Sequence, residues 1–167
     1  MKLKSKAIRL KQNNDVNTDY IISGRYKFQI QDPKELAKYV FNDLEPDFLK
    51  RADGRSIIIA GNNFGCGSSR EQAPLSLKYA GIKAVIAKSF ARIFYRNAFN
   101  LGIVLIETET DNISDLDELE LDLDTGILKN KTKKTDVEFS PLPEFMEEVI
   151  RDGSIVKHFN KHGGFQL

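Results

Sequence analysis

The segment Gly61-Asn62-Asn63-Phe64-Gly65-Cys66-Gly67-Ser68-Ser69-Arg70-Glu71 gathers amides, hydroxyls, a thiol and a guanidinium between an apolar run and a helical pattern. Glycines let backbone amides approach a ligand without side-chain obstruction. A helix start adds unpaired N–H donors and about half a positive charge. Arg70 adds a planar donor fork that matches a carboxylate. These residue types describe an anion site. A phosphate loop is excluded because the Gly-Lys-Ser/Thr ending is missing. The dinucleotide fingerprint fails too, since no third glycine follows Gly65-Cys66-Gly67 at the required spacing. Ser68 and Glu71 also carry capping-box spacing, in which a serine hydroxyl accepts from an amide three residues on and the glutamate reaches back. On that second reading Ser68 is a helix cap, and Gly65 and Gly67 form a tight turn with no ligand. The residues alone leave both open.

The elements that must position this loop are legible on either side of it. Ser56 to Ala60 is a short continuous apolar run, as expected of a strand buried on both faces. A helix follows to about Ala80, stopped by Gly81, then a strand at Ala84 to Ala87. Phe90 to Leu101 reads as a second helix ended by Gly102, and Ile103 to Ile106 as a third strand. Phe90, Phe94, Phe99 and Leu101 fall at helical spacing and are expected in the core. Strand, helix, strand, helix, strand at these lengths implies parallel pairing. In parallel sheets, ligands bind beyond the carboxyl ends of the strands, where Gly61 to Glu71 lies.

Upstream, Lys4 to Leu10 reads as a first strand and Asp15 to Asp19 as a polar turn. Ser23-Gly24 breaks the short apolar piece Tyr20 to Ile22, and Asp32-Pro33 opens a helix to about Asn42. Downstream, Leu119 to Leu123 alternates strictly, Asp124-Thr125-Gly126 turns it into Ile127 to Lys129, and Val137 to Phe139 adds another strand. Pro143 to Arg151 is a helix ended by Gly153. The expected fold is α/β, with a parallel βαβαβ centre and an antiparallel flank, in a single domain over residues 1–167.

The 167 residues suffice for an ordinary core, and 41% apolar with 29% charged residues is a globular composition. A net charge of +1 gives no field that marks a nucleic-acid binder. No apolar run approaches the roughly 20 residues that span a membrane, and the basic start Met1 to Lys6 precedes too short and too charged a stretch for a signal peptide. A cytoplasmic location is expected. Cys66 is the single cysteine, so this chain cannot hold an iron–sulfur cluster, which needs several thiolates. Cys66 itself reads as packing. With two histidines besides, His158 and His162, no metal site is expected, and these two suggest tail or interface contacts.

Asn62 to Pro74, together with Asn17 to Tyr26 and Ala84 to Asn97, resembles the swivelling domain of the aconitase superfamily. More narrowly, it is similar to the free-standing small subunits of the isopropylmalate dehydratase and homoaconitase type. That resemblance implies a β/β/α layered domain. It also implies a hydro-lyase that isomerises a 2-hydroxy dicarboxylate by dehydration and rehydration. It further implies no cofactor on this chain, and a large partner subunit carrying a [4Fe–4S] cluster. By resemblance Ser68 is the base that removes a proton from carbon, Arg70 grips a substrate carboxylate, Ser69 donates to it, and Asp19 sits beside the serine. Arg25, Tyr26, Lys27 and Phe28 fall in the substrate-reading loop. There the sequence departs from the family pattern, since Lys27 and Phe28 follow the tyrosine where leucine is common. Phe28 or Ile30 could accept an alkyl group, while Lys27 could pair with a second acid or face solvent. Arg25 reads equally as a substrate ligand or a structural ion pair. The expected substrate is 3-isopropylmalate, on a leucine-synthesis route, followed by homoaconitate or a dimethylmalate- or citramalate-type acid. A carboxylate-binding or regulatory module without catalysis is the rival of another class.

Overall fold

The computed structural model describes residues 1–164. One seven-stranded sheet runs in the order β4-β3-β2-β1-β5-β6-β7. Its strands are β1 (Lys2–Arg9), β2 (Ile57–Ile59), β3 (Ala84–Ala87), β4 (Val104–Glu107), β5 (Glu118–Asp122), β6 (Ile127–Asn130) and β7 (Thr135–Glu138). β1 to β4 pair in parallel, and β1, β5, β6 and β7 pair antiparallel. The parallel centre and antiparallel flank read from the sequence are both present. β1 belongs to both halves: Ala7, Ile8 and Arg9 register with Ile57, Ile58 and Ile59, while Lys2 to Lys6 register against Asp122 to Glu118.

Side-chain alternation divides the core between the two faces of the sheet. Ile8, Ile58, Val85 and Leu105 point to one face, where they join Val16, Ile21, Phe41, Phe48, Phe64 and Phe94 under the helices. Their neighbours Ala7, Ile57, Ile59, Ile86 and Ile106 point to the other, where Leu119, Leu121 and Leu128 of the antiparallel flank fold over them. The result is a β/β/α layering in which β2 and β3 are buried on both faces, hence their unbroken apolar runs. On the edge-facing side, Lys2–Asp122 and Lys4–Glu120 form cross-strand ion pairs at 3.3 Å each.

The helices are α1 (Thr18–Ile21), α2 (Gly24–Lys27), α3 (Pro33–Ala37), α4 (Phe48–Ala52), α5 (Gln72–Tyr79), α6 (Arg92–Asn100), α7 (Glu144–Asp152) and α8 (Ile155–His162). Asp32 caps α3 by accepting from the Lys34 amide, with Pro33 at the first position as the sequence implies. Gly81, Gly102 and Gly153 take positive φ and stop α5, α6 and α7 where expected. Extended Ile22 and Ser23 do end the apolar piece after α1, and Gly24 then opens the short helix α2. Two expectations are corrected. The helix begun at Pro33 ends at Ala37, in a run of tight turns in which Phe41 takes φ 55°. The C-terminal stretch with His158 and His162 is the regular helix α8, capped by the Ser154 hydroxyl accepting from the Lys157 amide.

Candidate active site

The loop 60–71 leaves the carboxyl end of β2 and is laced between two neighbours. On one side, Gly61 N donates to Asn13 O (2.6 Å), Gly65 N to Val16 O (2.7 Å) and Thr18 N to Cys66 O (2.9 Å). On the other, Phe64 N donates to Ser89 O (3.0 Å) and Ala91 N to Phe64 O (2.9 Å). The loops after β1, β2 and β3 thus extend the sheet beyond its strands, with the glycine-rich segment in the middle. Phe64 is fully buried and anchors it, meeting Phe90 and Phe94 edge-on at 6.0 and 5.2 Å. Gly65 has φ 80°, and a Cβ there would lie 2.1 Å from Phe94 Cγ. Only glycine fits.

The segment Asn17-Thr18-Asp19 has three separate tasks. Asn17 caps α1, its side chain accepting from the Asp19 and Tyr20 amides. Thr18, 2% exposed, donates its hydroxyl to Ser68 O at 2.8 Å. Asp19 pairs with Arg70 through Oδ1 and Nη1. A turn aspartate is therefore not its whole role, since it fixes the guanidinium of a residue 51 positions away. The Arg70 side chain is 12% exposed, and its buried Nε has no hydrogen-bond partner among the described residues.

The capping-box expectation is overturned. α5 begins at Gln72 with Glu71 in the cap position, and no side chain among the described residues caps it. Ser68 lies before the helix, held outward by the Thr18 bond to its own carbonyl. Among the described residues, its hydroxyl has no hydrogen-bond partner, and the amides of Ser68, Ser69 and Arg70 donate to nothing. Both serines are exposed. Three consecutive amides and a guanidinium at one cleft are the donor types that suit an anion, without needing the helix itself. Ser68, Ser69 and Arg70 share a cleft of about 300 Å³ with Arg92, Ile93 and Phe94 of α6.

Arg92 was not legible as a site residue in the sequence, where it reads as one position of an amphipathic helix. It stands at the first residue of α6, exposed and without an ion pair among the described residues. A cation there is disfavoured by the helix dipole. An anion in the cleft would offset that cost.

The reading-loop residues divide. Arg25 pairs with Asp43, donates to the Tyr26 hydroxyl at 2.8 Å and lies over the Tyr26 ring at 4.6 Å. Burial works to raise the Asp43 carboxyl, but hydrogen bonds from Ser23 and Arg25 outweigh it and hold it below the ordinary carboxylate range. Tyr26 stacks on Tyr39 at 4.2 Å and accepts from Asn42. Arg25 and Tyr26 thus form a local cluster. Phe28 instead is 80% exposed, with Lys27 Nζ 5.0 Å from its ring centroid. Its ring and the Asp19 carboxylate flank Gly24, which places Phe28 at the border of the Arg70 site. Cys66 is half-buried, and burial together with Asp15 pushes its thiol up, which suits packing rather than thiolate chemistry.

The profile of the aconitase C-terminal domain family matches residues 5–111. The chain is 48% identical to 3-isopropylmalate dehydratase small subunit 2 of Archaeoglobus fulgidus, over 94% of this chain and 95% of that one. Against the 3-isopropylmalate dehydratase small subunit of Methanosarcina mazei it is 49% identical, over 90% and 93%. Against small subunit 1 of Thermotoga maritima the figures are 47%, 93% and 94%. A crystal structure of 3-isopropylmalate dehydratase from Methanocaldococcus jannaschii superposes with a TM-score of 0.90 at 42% identity, covering 98% of this chain and 96% of that one.

Proposed function

The chain belongs to the aconitase C-terminal domain family, among the 3-isopropylmalate dehydratase small subunits, and from that premise we propose that Ser68 is the base of a dehydration–rehydration reaction on an alkyl-substituted malate. One observation carries the reading: an exposed hydroxyl and three amides, without hydrogen-bond partners among the described residues, stand beside Arg70 in a cleft open to solvent. A serine hydroxyl takes a proton from carbon only if its alkoxide is stabilised by donors already in place. The amides of Ser69 and Arg70 and the Arg70 guanidinium are such donors. The Ser68 alkoxide takes the proton from substrate carbon as the adjacent carbon releases its hydroxyl as hydroxide, for which the large subunit's cluster would supply a Lewis acid. The same proton returns to carbon, regenerating the alkoxide, when hydroxide adds back with the opposite regiochemistry.

Arg70 holds one substrate carboxylate, and Asp19 orients that guanidinium. A malate has two carboxylates, while Asp19 already neutralises part of Arg70. Arg92 is assigned to the second. Arg92→Gln is expected to raise KM by about tenfold to a hundredfold with a smaller change in kcat, since a charged hydrogen bond contributes about 1.5–3 kcal/mol. A KM within twofold of the unaltered enzyme would remove Arg92 from the site.

The iron–sulfur cluster implied by family resemblance has no seat among these residues, because Cys66 is the single thiol. It is assigned to the large subunit, which would close over the Ser68 cleft. No helix among the described residues is long and apolar enough to cross a membrane. A cytoplasmic location for the two-subunit enzyme stays part of this proposal. The exposed Phe28 ring favours an alkyl over a charged substituent, and hence 3-isopropylmalate over homoaconitate. The test combines this chain with the large subunit and follows absorbance of the unsaturated intermediate. The substrates are 3-isopropylmalate, homoaconitate, dimethylmalate and citramalate. The highest kcat/KM should fall on 3-isopropylmalate. Preference for homoaconitate would reverse the role of Phe28, and ligand binding without turnover would make the chain a carboxylate-binding module.

A further inference from the structure

At the end of the sheet opposite the Ser68 loop, α7 and α8 meet in a sharp corner. Gly153 turns the chain at φ 89°, and Gly102, just before β4, packs against its carbonyl. Lys78 clamps the corner, donating to Leu101 O and Gly153 O at 2.6 Å each. Ser154 then caps α8, so His158 and His162, one turn apart on one helix face, point back at Asp152, the last residue of α7. His158 Nδ1 lies 2.8 Å and His162 Nε2 3.0 Å from the same oxygen, Asp152 Oδ2. The three ligand atoms lie within 4.8 Å of one another.

We infer that Asp152, His158 and His162 form a binding site for a borderline divalent cation such as Zn²⁺, Ni²⁺ or Cu²⁺. Tetrahedral coordination at about 2.0–2.1 Å separates neighbouring ligand atoms by about 3.3 Å. The two measured edges need to open by only a few tenths of an ångström, and the two imidazole nitrogens lie no more than 4.8 Å apart, so a side-chain adjustment at the exposed His162 sets the third edge. Each neutral imidazole moves its single proton to its other ring nitrogen and presents a lone pair to the ion. The carboxylate is held in place from behind, since Lys161 Nζ binds the other oxygen, Oδ1, at 2.6 Å. This partner orients a ligand without occupying its coordinating atom. The His158 ring is set edge-on by Phe145 at 5.6 Å. His162 lies at the surface, which leaves ion access and a fourth position for water. Two nitrogens and one oxygen select against Mg²⁺ and Ca²⁺, which take all-oxygen shells, and rank Cu²⁺ above Ni²⁺. Bound there, the ion would tie α8 to the end of α7.

The experiment titrates the chelator-treated full chain with ZnCl₂, NiCl₂, CuSO₄ and MgCl₂, by calorimetry and by thermal unfolding. One equivalent of each transition ion should bind and raise Tm by several degrees, while Mg²⁺ does neither. His162→Ala, a surface change that leaves the buried His158 in place, should weaken binding by tenfold or more and abolish the Tm shift. Cys66→Ser should leave both unchanged. Absence of saturable binding, undiminished binding in His162→Ala, or loss of binding in Cys66→Ser would each overturn the inference.

Discussion

Ser68→Ala is expected to lower kcat of the two-subunit enzyme by about 10²–10⁴, the range for a positioned proton-transfer group, while KM stays within a few-fold. Its structural setting separates that effect from folding. The Ser68 hydroxyl is exposed and has no hydrogen-bond partner among the described residues, and the segment is held through the backbone carbonyl by Thr18. Removing Oγ therefore breaks no intramolecular bond, and stability should change by less than about 0.5 kcal/mol. Unchanged Tm with a collapsed kcat identifies chemistry. Had Ser68 been the α5 cap, the same substitution would have cost about 1 kcal/mol of stability and left the chemical step untouched. Full activity in the purified variant would withdraw the base assignment and leave an anion site that only binds.

Gly65→Ala should be the most damaging single change to the loop. Two costs coincide there. A left-handed φ of 80° costs a non-glycine residue about 1–2 kcal/mol. The added methyl would lie 2.1 Å from Cγ and 2.4 Å from Cβ of Phe94, near the stiff base of a buried ring rather than a flexible tip. Relieving that overlap costs about 1–3 kcal/mol more. The sum, roughly 3 kcal/mol, corresponds to a Tm lowered by about 10 °C in a domain of this size. Phe94 lines the cleft with Ser68 and Arg70, so activity should fall even below the unfolding temperature. Gly67→Ala offers a contrast. Its φ is similarly left-handed, but a Cβ would meet only ordinary contacts with Asn17 at 3.4 Å, so the clash component is missing. Equal destabilisation of the two variants, measured by thermal unfolding, would show that backbone conformation rather than the Phe94 contact dominates.

Local chemistry determined much of this protein without reference to its fold. Ile57 to Ile59 and Ala84 to Ala87 announce doubly covered strands because burial on both faces removes the alternation that a half-exposed strand must keep. Asp32-Pro33 and the glycines at 81, 102 and 153 mark helix ends because capping and positive φ are decided within a few residues. The anion character of Gly61 to Glu71 and the likeness to the aconitase swivelling domain rest on contiguous residues for the same reason. What the tertiary structure alone decided involves partners distant along the chain. Local spacing left Ser68 open as either a cap or a ligand group, but the hydrogen bond from Thr18 holds it outside the helix and leaves its hydroxyl open. Asp19 and Arg70 meet across 51 residues, and Arg92 joins them only because α6 packs beside the loop. Two histidines are too few to suggest a metal site by count. The third ligand, Asp152, comes from another helix and reaches them only after Gly153 folds the chain back. Sequence spacing encodes torsion and periodicity, whereas which side chains share a cleft depends on long-range packing that no local pattern specifies.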